Sequence, residues 1–332
     1  MTTFIAHVRH GLLVLISAAV LPAQQNPDIR VDVDLVTVAC AVATRGGAPA
    51  RDLKAEDFRL LDDGQPRPIQ NFWQESDLPL TIALVADVSG SQAGYIRSHR
   101  DAVAQFLSQV IGPRDRAMVV QVAQKASLLS GLTSSSIDLS AAIERIGTPE
   151  GKQSPLLGPV CRNNSFPHSC GGTALWHGLY YTARELKAVS GRKAIVVLSD
   201  GLDTGSDIRL NDLIEMAQSA GVVVYSIKYA SPARFLSPGG AIAQAVSRGL
   251  DRLSRETGGL TFPNPGHRAA EVFSKIESDL RNMYVLGFIP AGALDGKFHA
   301  LKVIMVREDL VVRSRAGYWA GTRDESGVTH SP

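Results

Sequence analysis

The sequence predicts an α/β fold in which a doubly wound, mostly parallel sheet is inserted into a small β module. The first observation is that apolar strands alternate with amphipathic helices from residue 79 to about 282. Such alternation is typical of a parallel sheet that helices cover on both faces. The second is that residues 24–78 and 283–320 carry strand patterns without a helical repeat. Because chain ends tend to lie close together and short strand pairs are marginal alone, we expect these two segments to pair.

Residues 1–23 are excluded from this fold because they have the pattern of a cleaved signal peptide. Arg9 and His10 precede the apolar run "GLLVLISAAVL", and "PAQQ" follows it, which predicts cleavage after Ala23. The run is about half as long as a membrane span needs, so an uncleaved anchor is the alternative. We expect an exported protein, periplasmic or secreted, without a membrane span after cleavage. Residues 321–332 are polar and are expected to be disordered.

Composition and charge exclude several other classes of protein. The chain is 45% hydrophobic and 20% charged, which is ordinary for a globular protein. A net charge of +2 gives no basic face from which to predict binding to nucleic acid or to a membrane surface.

Export permits disulfides, so Cys161 and Cys170 are predicted to form a disulfide that closes the loop between them. Cys40 is expected to be a small buried hydrophobe in a strand.

Hydrophobic periodicity gives the order of elements within the inserted domain, residues 79–282. Two long loops, 147–172 and 230–240, are candidates for contact with a partner because long loops in compact domains are often functional. The predicted strands are 81–86, 117–122, 126–129, 193–199, 222–229 and 259–262, and the predicted helices are 92–111, 136–146, 173–189, 207–220, 241–257 and 267–281.

Two aspartates are predicted to meet at one edge of the parallel sheet. Asp87 ends the first strand, "TIALVAD", and Asp200 follows the fourth, "KAIVVLSD". In the common strand order 3-2-1-4-5-6 these strands are neighbours, and ligands bind beyond the carboxyl ends at that point. Neighbouring strands lie about 4.8 Å apart, so both carboxylates should face one crevice. Two carboxylates in an apolar crevice repel each other, so a proton, a basic side chain or a cation must offset their charge.

The side chains around these aspartates favour the cation. Ser89 and Ser91 occupy alternate positions in "DVSGS", and Thr173 begins a helix in "GGTALW". Hydroxyl and carboxylate oxygens are hard ligands suited to magnesium, with manganese or calcium as alternatives. Asp203 is an alternative to Asp200. The simpler alternative for "DVSGS" is that these residues close a turn and cap the next helix.

These segments resemble a known metal site. "DVSGS", "GGT" and "VVLSDG" are similar, in that order, to the metal-ion-dependent adhesion site (MIDAS) of von Willebrand factor type A (VWA) domains, and the resemblance covers residues 79–281. The flanking segments resemble those of the secreted "VWFA-related" family of the acidobacterial type. The resemblance implies a Rossmann-like domain that binds a partner's Asp or Glu through the ion. It implies five metal-site residues: Asp87, Ser89, Ser91, Thr173 and Asp200.

Two other functions stay open at this point. One is a structural or assembly module whose metal site is empty or only stabilising. The other is a magnesium-dependent phosphatase of the haloacid-dehalogenase type, because "SDGLDTGSD" is similar to its acidic loop, with Lys193 as a helper. That chemistry needs an acid two residues after the nucleophile, where this chain has Ser89. The sequence has no G-x-S-x-G, G-x-G-x-x-G, P-loop, H-E-x-x-H or C-x-x-C motif. His177 lies one turn beyond Thr173 and is expected to be a partly exposed surface histidine, or else to lie beside the site.

Overall fold

A computed structural model of the chain describes residues 35–74, 78–148, 172–229, 240–290, 295–320, 322–323 and 329–330. The predicted signal peptide, the predicted Cys161–Cys170 disulfide and most of the two long loops lie outside these residues. No helix in the described ranges is long and apolar enough to cross a membrane.

The strands fall into an antiparallel group at both ends of the chain and a mostly parallel group between them. In chain order they are β1 (Val36–Thr44), β2 (Phe58–Asp62), β3 (Gln65–Arg67), β4 (Asn71–Gln74), β5 (Leu80–Asp87), β6 (Arg116–Val122), β7 (Ala126–Thr133), β8 (Arg192–Ser199), β9 (Val222–Lys228), β10 (Thr261–Phe262), β11 (Met283–Phe288), β12 (Phe298–Met305), β13 (Leu310–Ser314), β14 (Gly317–Trp319), β15 (Thr322–Arg323) and β16 (Thr329–His330).

Within the described ranges, six α-helices alternate with the strands of the central sheet. They are α1 (Ile96–Val110), α2 (Ser136–Glu144), α3 (Leu175–Lys187), α4 (Leu210–Ser219), α5 (Gly240–Thr257) and α6 (Ala269–Arg281).

The central sheet has the strand order β10-β9-β8-β5-β6-β7, in which only β7 runs antiparallel to its neighbour. This is the predicted order, and β5 and β8 are adjacent, with Leu84 opposite Val196. All eight residues of β5 are buried because helices cover both faces of the sheet. On one face α1, α2 and α6 contribute side chains such as Phe106 and Phe273. On the other, α3, α4 and α5 contribute side chains such as Leu179 and Leu253.

Strands from the two ends of the chain pair with each other. β1 lies between β11 and β13, and β2 lies beside β12, all antiparallel. These two antiparallel sheets, β13-β1-β11-β4 and β14-β12-β2-β3, share an apolar core that includes Phe58 and Tyr284. Cys40 is fully buried in that core as a free thiol, which confirms its prediction as a small hydrophobe. In the polar tail, β15 pairs with β16.

Three predicted elements have different boundaries in the structure because of specific hydrogen bonds and strand pairing. The helix expected over 92–111 begins as a 3-10 turn (Gly90–Tyr95), because the Gln92 amide bonds to the Ser89 carbonyl at 2.8 Å and its side chain is tied to the Tyr229 carbonyl at 3.1 Å. The helix expected from 207 begins at Leu210, where the Asp212 carboxylate accepts the Arg209 amide. β7 extends past residue 129 because it pairs with β6 along its length.

The first half of α3 lies close against the sheet. A Cβ added at Gly178 would be 2.6 Å from Cγ2 of Val122 and 3.3 Å from Cβ of Ala126. By contrast, a Cβ added at Gly94, in the 3-10 turn, would meet nothing within 4 Å. The glycine at position 178 therefore sets the separation between α3 and β6, and with it the position of the loop that carries Thr173.

Candidate metal centre

The carboxylate of Asp87 is held at the end of β5 by hydrogen bonds from two segments. Asp87 is fully buried. Its Oδ1 accepts the Ser89 amide at 2.9 Å, and its Oδ2 accepts the Ser199 hydroxyl of the adjacent strand at 2.5 Å. Burial, chiefly, and the nearby charge of Asp200 to a lesser degree raise the pKa of Asp87 to about 6, although these hydrogen bonds oppose the shift. A cation beside this acid would therefore be favourable.

Ser89 and Ser91 present their hydroxyl oxygens to the same side of the turn after β5. Ser89 is extended, with φ −61° and ψ 167°, and the 3-10 turn follows it. The two Oγ atoms lie 3.1 Å apart. Adjacent ligands of an octahedral ion with metal–oxygen distances of about 2.1 Å lie about 3.0 Å apart. The 3.1 Å spacing is that of a hydrogen bond between the two hydroxyl groups, and it is also compatible with two neighbouring ligands of magnesium.

Thr173 reaches the same place from a different part of the chain. It is buried, and its amide donates to the Thr204 hydroxyl at 3.0 Å. Its carbonyl accepts the amides of Thr204 and Gly205, also at 3.0 Å, so the loop after β8 fixes the start of α3. Ser89, Ser91 and Thr173 all line one cavity of about 620 Å³. Other residues on its wall include Gln121, Lys125, Ser127, Thr148 and Leu202.

Asp200 lies at the tip of β8, next to the tip of β5. It is 6% exposed, and its Oδ1 accepts the Leu202 amide at 3.0 Å. Neither Asp87 nor Asp200 is among the described residues that line the cavity. The structure therefore brings the three hydroxyl residues to one cavity wall. It places the two aspartates at the adjacent tips of β5 and β8. Hydroxyl and carboxylate oxygens are hard ligands of the kind that suits a magnesium-type ion.

Asp203 is not among the described residues that line this cavity, and its carboxylate instead contacts the start of α3. Its Oδ1 accepts the Trp176 amide at 3.1 Å and the Ser206 hydroxyl at 2.6 Å. Burial raises the pKa of Asp203, and these hydrogen bonds oppose the rise. A carboxylate that accepts amides of the first helical turn is an N-terminal cap, so Asp203 stabilises the start of α3.

The prediction of a partly exposed His177 is wrong. The residue is only 3% exposed, and its ring lies 4.7 Å from that of Tyr181. Neither ring nitrogen has a hydrogen-bond partner among the described residues. Burial lowers the pKa of His177, so the ring is neutral. The reason for its burial is that the loop after β8 covers the first turn of α3, where the His177 amide bonds to the Ser206 hydroxyl at 2.9 Å.

Two supporting residues were not found by sequence reasoning. Ser199 bonds to Asp87, and Gln121 holds the cavity rim by accepting the Gly147 amide at 2.9 Å and donating to the Thr148 carbonyl at 3.1 Å. Each is a buried polar residue at the carboxyl end of a strand whose middle is apolar. A polar residue at a buried strand position is itself a signal that a nearby group needs a hydrogen bond.

Lys193 is poorly placed to assist chemistry at Asp87. It is the second residue of β8, whereas Asp200 follows the last. Strand rise of about 3.3 Å per residue puts them about 23 Å apart. The geometry therefore does not bring the lysine expected of a phosphatase to the carboxyl edge of the sheet.

A second cluster of ionisable groups lies in the antiparallel part of the fold. Asp62, Asp63 and His299 have ligand atoms within 4.8 Å of one another, the one such group found in the described ranges. Nδ1 of His299 is 2.8 Å from Asp63 Oδ2, and its Nε2 is 3.1 Å from Asp295 Oδ1. Although burial opposes the change, hydrogen bonds to Asp295 and Asp63 raise the pKa of His299. Only a protonated imidazole can donate from both nitrogens, so two carboxylates at hydrogen-bond distance favour the protonated form of this ring.

Comparison with known proteins gives likenesses among solved structures alone. No family model matches the chain, and no curated protein matches it. The chain is similar to the conserved hypothetical protein BatB from Bacteroides thetaiotaomicron, with 14% identity over 59% of this chain and 97% of that one and a TM-score of 0.43. It is similar to an aerotolerance-related membrane protein from Bacteroides fragilis, with 15% identity, 60% and 98% coverage and a TM-score of 0.42. It is also similar to the vWF domain of the type V pili tip protein Mfa5 from Porphyromonas gingivalis, with 13% identity, 60% and 94% coverage and a TM-score of 0.41. We draw no functional conclusion from likeness at this level.

Proposed function

We propose that this chain is an exported protein-interaction module that captures an acidic residue of a partner through a divalent cation. The cation is held by the five metal-site residues, with magnesium as the expected ion and manganese or calcium as alternatives. The observation that carries the proposal is the 3.1 Å separation of the Ser89 and Ser91 hydroxyl oxygens, on a cavity wall that they share with Thr173.

The chemistry of these ligands favours capture of an anion. Hydroxyl oxygens are neutral, so the three of them leave the charge of a dication to the two aspartates, and Asp87 is held back in the sheet by Ser199 and Ser89. When bound, such an ion supplies a position at which a partner carboxylate is a better ligand than water. Lys125 is exposed on the same cavity wall and adds positive charge around the entrance. The partner that fits this arrangement presents an Asp or Glu side chain.

A metal titration tests the first half of the proposal. Ser91→Ala removes one hydroxyl ligand, and Ser127→Ala is the matched control, because Ser127 lines the same cavity from β7 without belonging to the five metal-site residues. Manganese binding, followed by electron paramagnetic resonance and by the melting temperature, should weaken in Ser91→Ala and stay unchanged in Ser127→Ala. Equal manganese affinity in both variants would contradict the proposed ligand set.

Partner capture tests the second half and separates the alternatives. The chain without its leader is immobilised and exposed to exported proteins in magnesium, in EDTA, and as the Ser91→Ala variant. We expect one partner to be retained in magnesium and released in the other two conditions. A melting temperature that rises with metal, without any metal-dependent partner, would favour the structural module instead. Phosphatase activity abolished by Asp87→Asn would favour the enzyme.

A further inference from the structure

A second cavity lies at the opposite end of the central sheet from the metal centre. It has a volume of about 320 Å³ and lies between the starts of β8 and β9, the end of α4, and strands β1 and β11. The length of β8, about 23 Å, separates it from the tip that carries Asp200. Its volume is at the lower end of the range of small-molecule sites. We call it the amino-edge cavity.

Three basic residues line the amino-edge cavity, and none of its described lining residues is acidic. Arg192, Lys193 and Arg315 all line it. No Asp or Glu is among the described residues that form the lining. Arg192 is held by the carbonyls of Leu78 and Leu280, so its direction is fixed by the backbone. The uncompensated charge therefore rests chiefly on the other two side chains, and burying it is costly unless an anion is present.

Arg315 is preorganised by its surroundings. Its Nη1 donates to the Gln218 carbonyl at 3.1 Å, and its Nη2 to the Thr37 carbonyl at 2.8 Å. Gly258 allows the backbone to approach, because a Cβ there would lie 3.0 Å from the Ser314 carbonyl carbon and 3.1 Å from the Arg315 amide nitrogen. The next amide, of Ala316, bonds to the backbone carbonyl of Glu256 at 3.0 Å. A guanidinium fixed in this way binds an anion with little loss of side-chain entropy.

Two buried polar atoms at the amino-edge cavity have no partner among the described residues. Nε of Arg315 is a donor, and Oε1 of Gln218 is an acceptor. Buried polar groups are nearly always paired, so each unpaired group indicates a missing partner. An anionic oxygen would accept from the arginine, and a hydroxyl or a water carried with the ligand would donate to the glutamine. Burial lowers the pKa of Arg315 to about 10. Burial and the charge of Lys187 lower the pKa of Lys193. A bound anion would raise both pKa values again, because it stabilises the charged forms.

The rest of the amino-edge cavity is apolar. Ala39, Val223, Met283 and Val285 line it beside the cations. From these observations we propose that the amino-edge cavity binds a small organic anion, with its carboxylate or phosphate on Arg315 and Lys193 and its apolar part against β1, β9 and β11. This inference does not rest on the proposed metal site, which lies at the other edge of the sheet.

Calorimetric titration at constant ionic strength and in EDTA tests the inference. The probes are benzoate, phenyl phosphate and inorganic phosphate, each used up to a concentration on the order of 10 mM. Lys193→Met removes one charge while keeping an aliphatic stem, and Arg315→Gln removes the other. Lys302→Met, at an exposed position on β12, is the matched control.

We expect an aromatic probe to bind the wild type, with affinity about tenfold lower in Lys193→Met and unchanged in Lys302→Met, because one charge-assisted hydrogen bond is lost. Lys193→Met keeps the test valid if Arg315→Gln does not fold. Three results would overturn the inference: no binding of any probe, equal binding by Lys193→Met and wild type, or inorganic phosphate bound as tightly as the aromatic anions. Ser91→Ala should bind the probes normally, so failure of the metal proposal would be visible separately.

Discussion

The buried carboxyl group of Asp87 should make the stability of the metal-free protein depend on pH in a defined direction. Burial, chiefly, raises the pKa of Asp87 from 3.8 to about 6. The folded protein therefore binds this proton more tightly than the unfolded chain, so its contribution to stability falls as pH rises from about 4 to about 6 and stays constant above. At about 1.4 kcal/mol for each pH unit, the difference amounts to about 3 kcal/mol.

Asp87→Asn removes this titration and retains a carbonyl oxygen that can accept the Ser89 amide. Another buried group works in the opposite direction and needs a control. Burial lowers the pKa of His99 from 6.5 to about 4, so its contribution to stability is lost as pH falls through that range. His99 interacts with the backbone of Asp87, which Asp87→Asn keeps, so its effect is common to the variant and the wild type.

The assay is urea unfolding in EDTA between about pH 4 and pH 7.5. We expect the variant to gain about 2.4 kcal/mol over the wild type between the two ends of this range, because the unfolded carboxyl is already partly deprotonated at about pH 4. Added magnesium should stabilise the wild type alone, because the ion offsets the charge that the variant lacks. Parallel pH profiles for the two proteins would refute the reasoning, since they would mean that Asp87 titrates normally in the fold.

Three further predictions concern stability away from the candidate metal centre. Asp203→Ala should lower the free energy of unfolding by about 1 kcal/mol, as loss of a helix cap does, and should leave the manganese-induced rise in melting temperature intact. Gly178→Ala should destabilise the fold by about 1–3 kcal/mol through overpacking against Val122, whereas Gly94→Ala should change stability little; equal melting temperatures would contradict this contrast. His299 should titrate above 6.5 by NMR, because its pKa is raised. The protonated ring stabilises the fold below pH 6.5, and this stabilisation is lost as pH rises through the raised pKa of the folded state. His299→Gln should abolish this pH dependence.

Much of the parallel sheet could be predicted from the sequence because its strands are continuous apolar runs. β5 and β8 are buried on both faces, and each ends in a polar residue that marks its edge. Because helices alternate with these strands, the connections are right-handed crossovers, and the strand order follows from a small set of allowed topologies. The adjacency of the Asp87 and Asp200 tips could therefore be predicted before any coordinates.

Element boundaries and individual contacts could not be predicted in this way. The 3-10 turn at Gly90–Tyr95 depends on a bond from Gln92 to the Tyr229 carbonyl, 137 residues away. His177 reads as an exposed helix residue, yet a loop 29 residues later covers it. Local sequence does not encode which distant segment fills the space above a side chain.

The sequence by itself determined the alternation of strands and helices, the polar residues at the strand ends and the oxygen-bearing side chains of the candidate metal centre. These are properties of short segments, set by side-chain periodicity and by the kind of atoms each residue carries. Only the tertiary structure decided that Ser89, Ser91 and Thr173 share one cavity, that Asp203 caps α3, and that Lys193 and Arg315 meet at the opposite edge of the sheet. Those outcomes depend on how packed elements bring distant residues together, which no local pattern specifies.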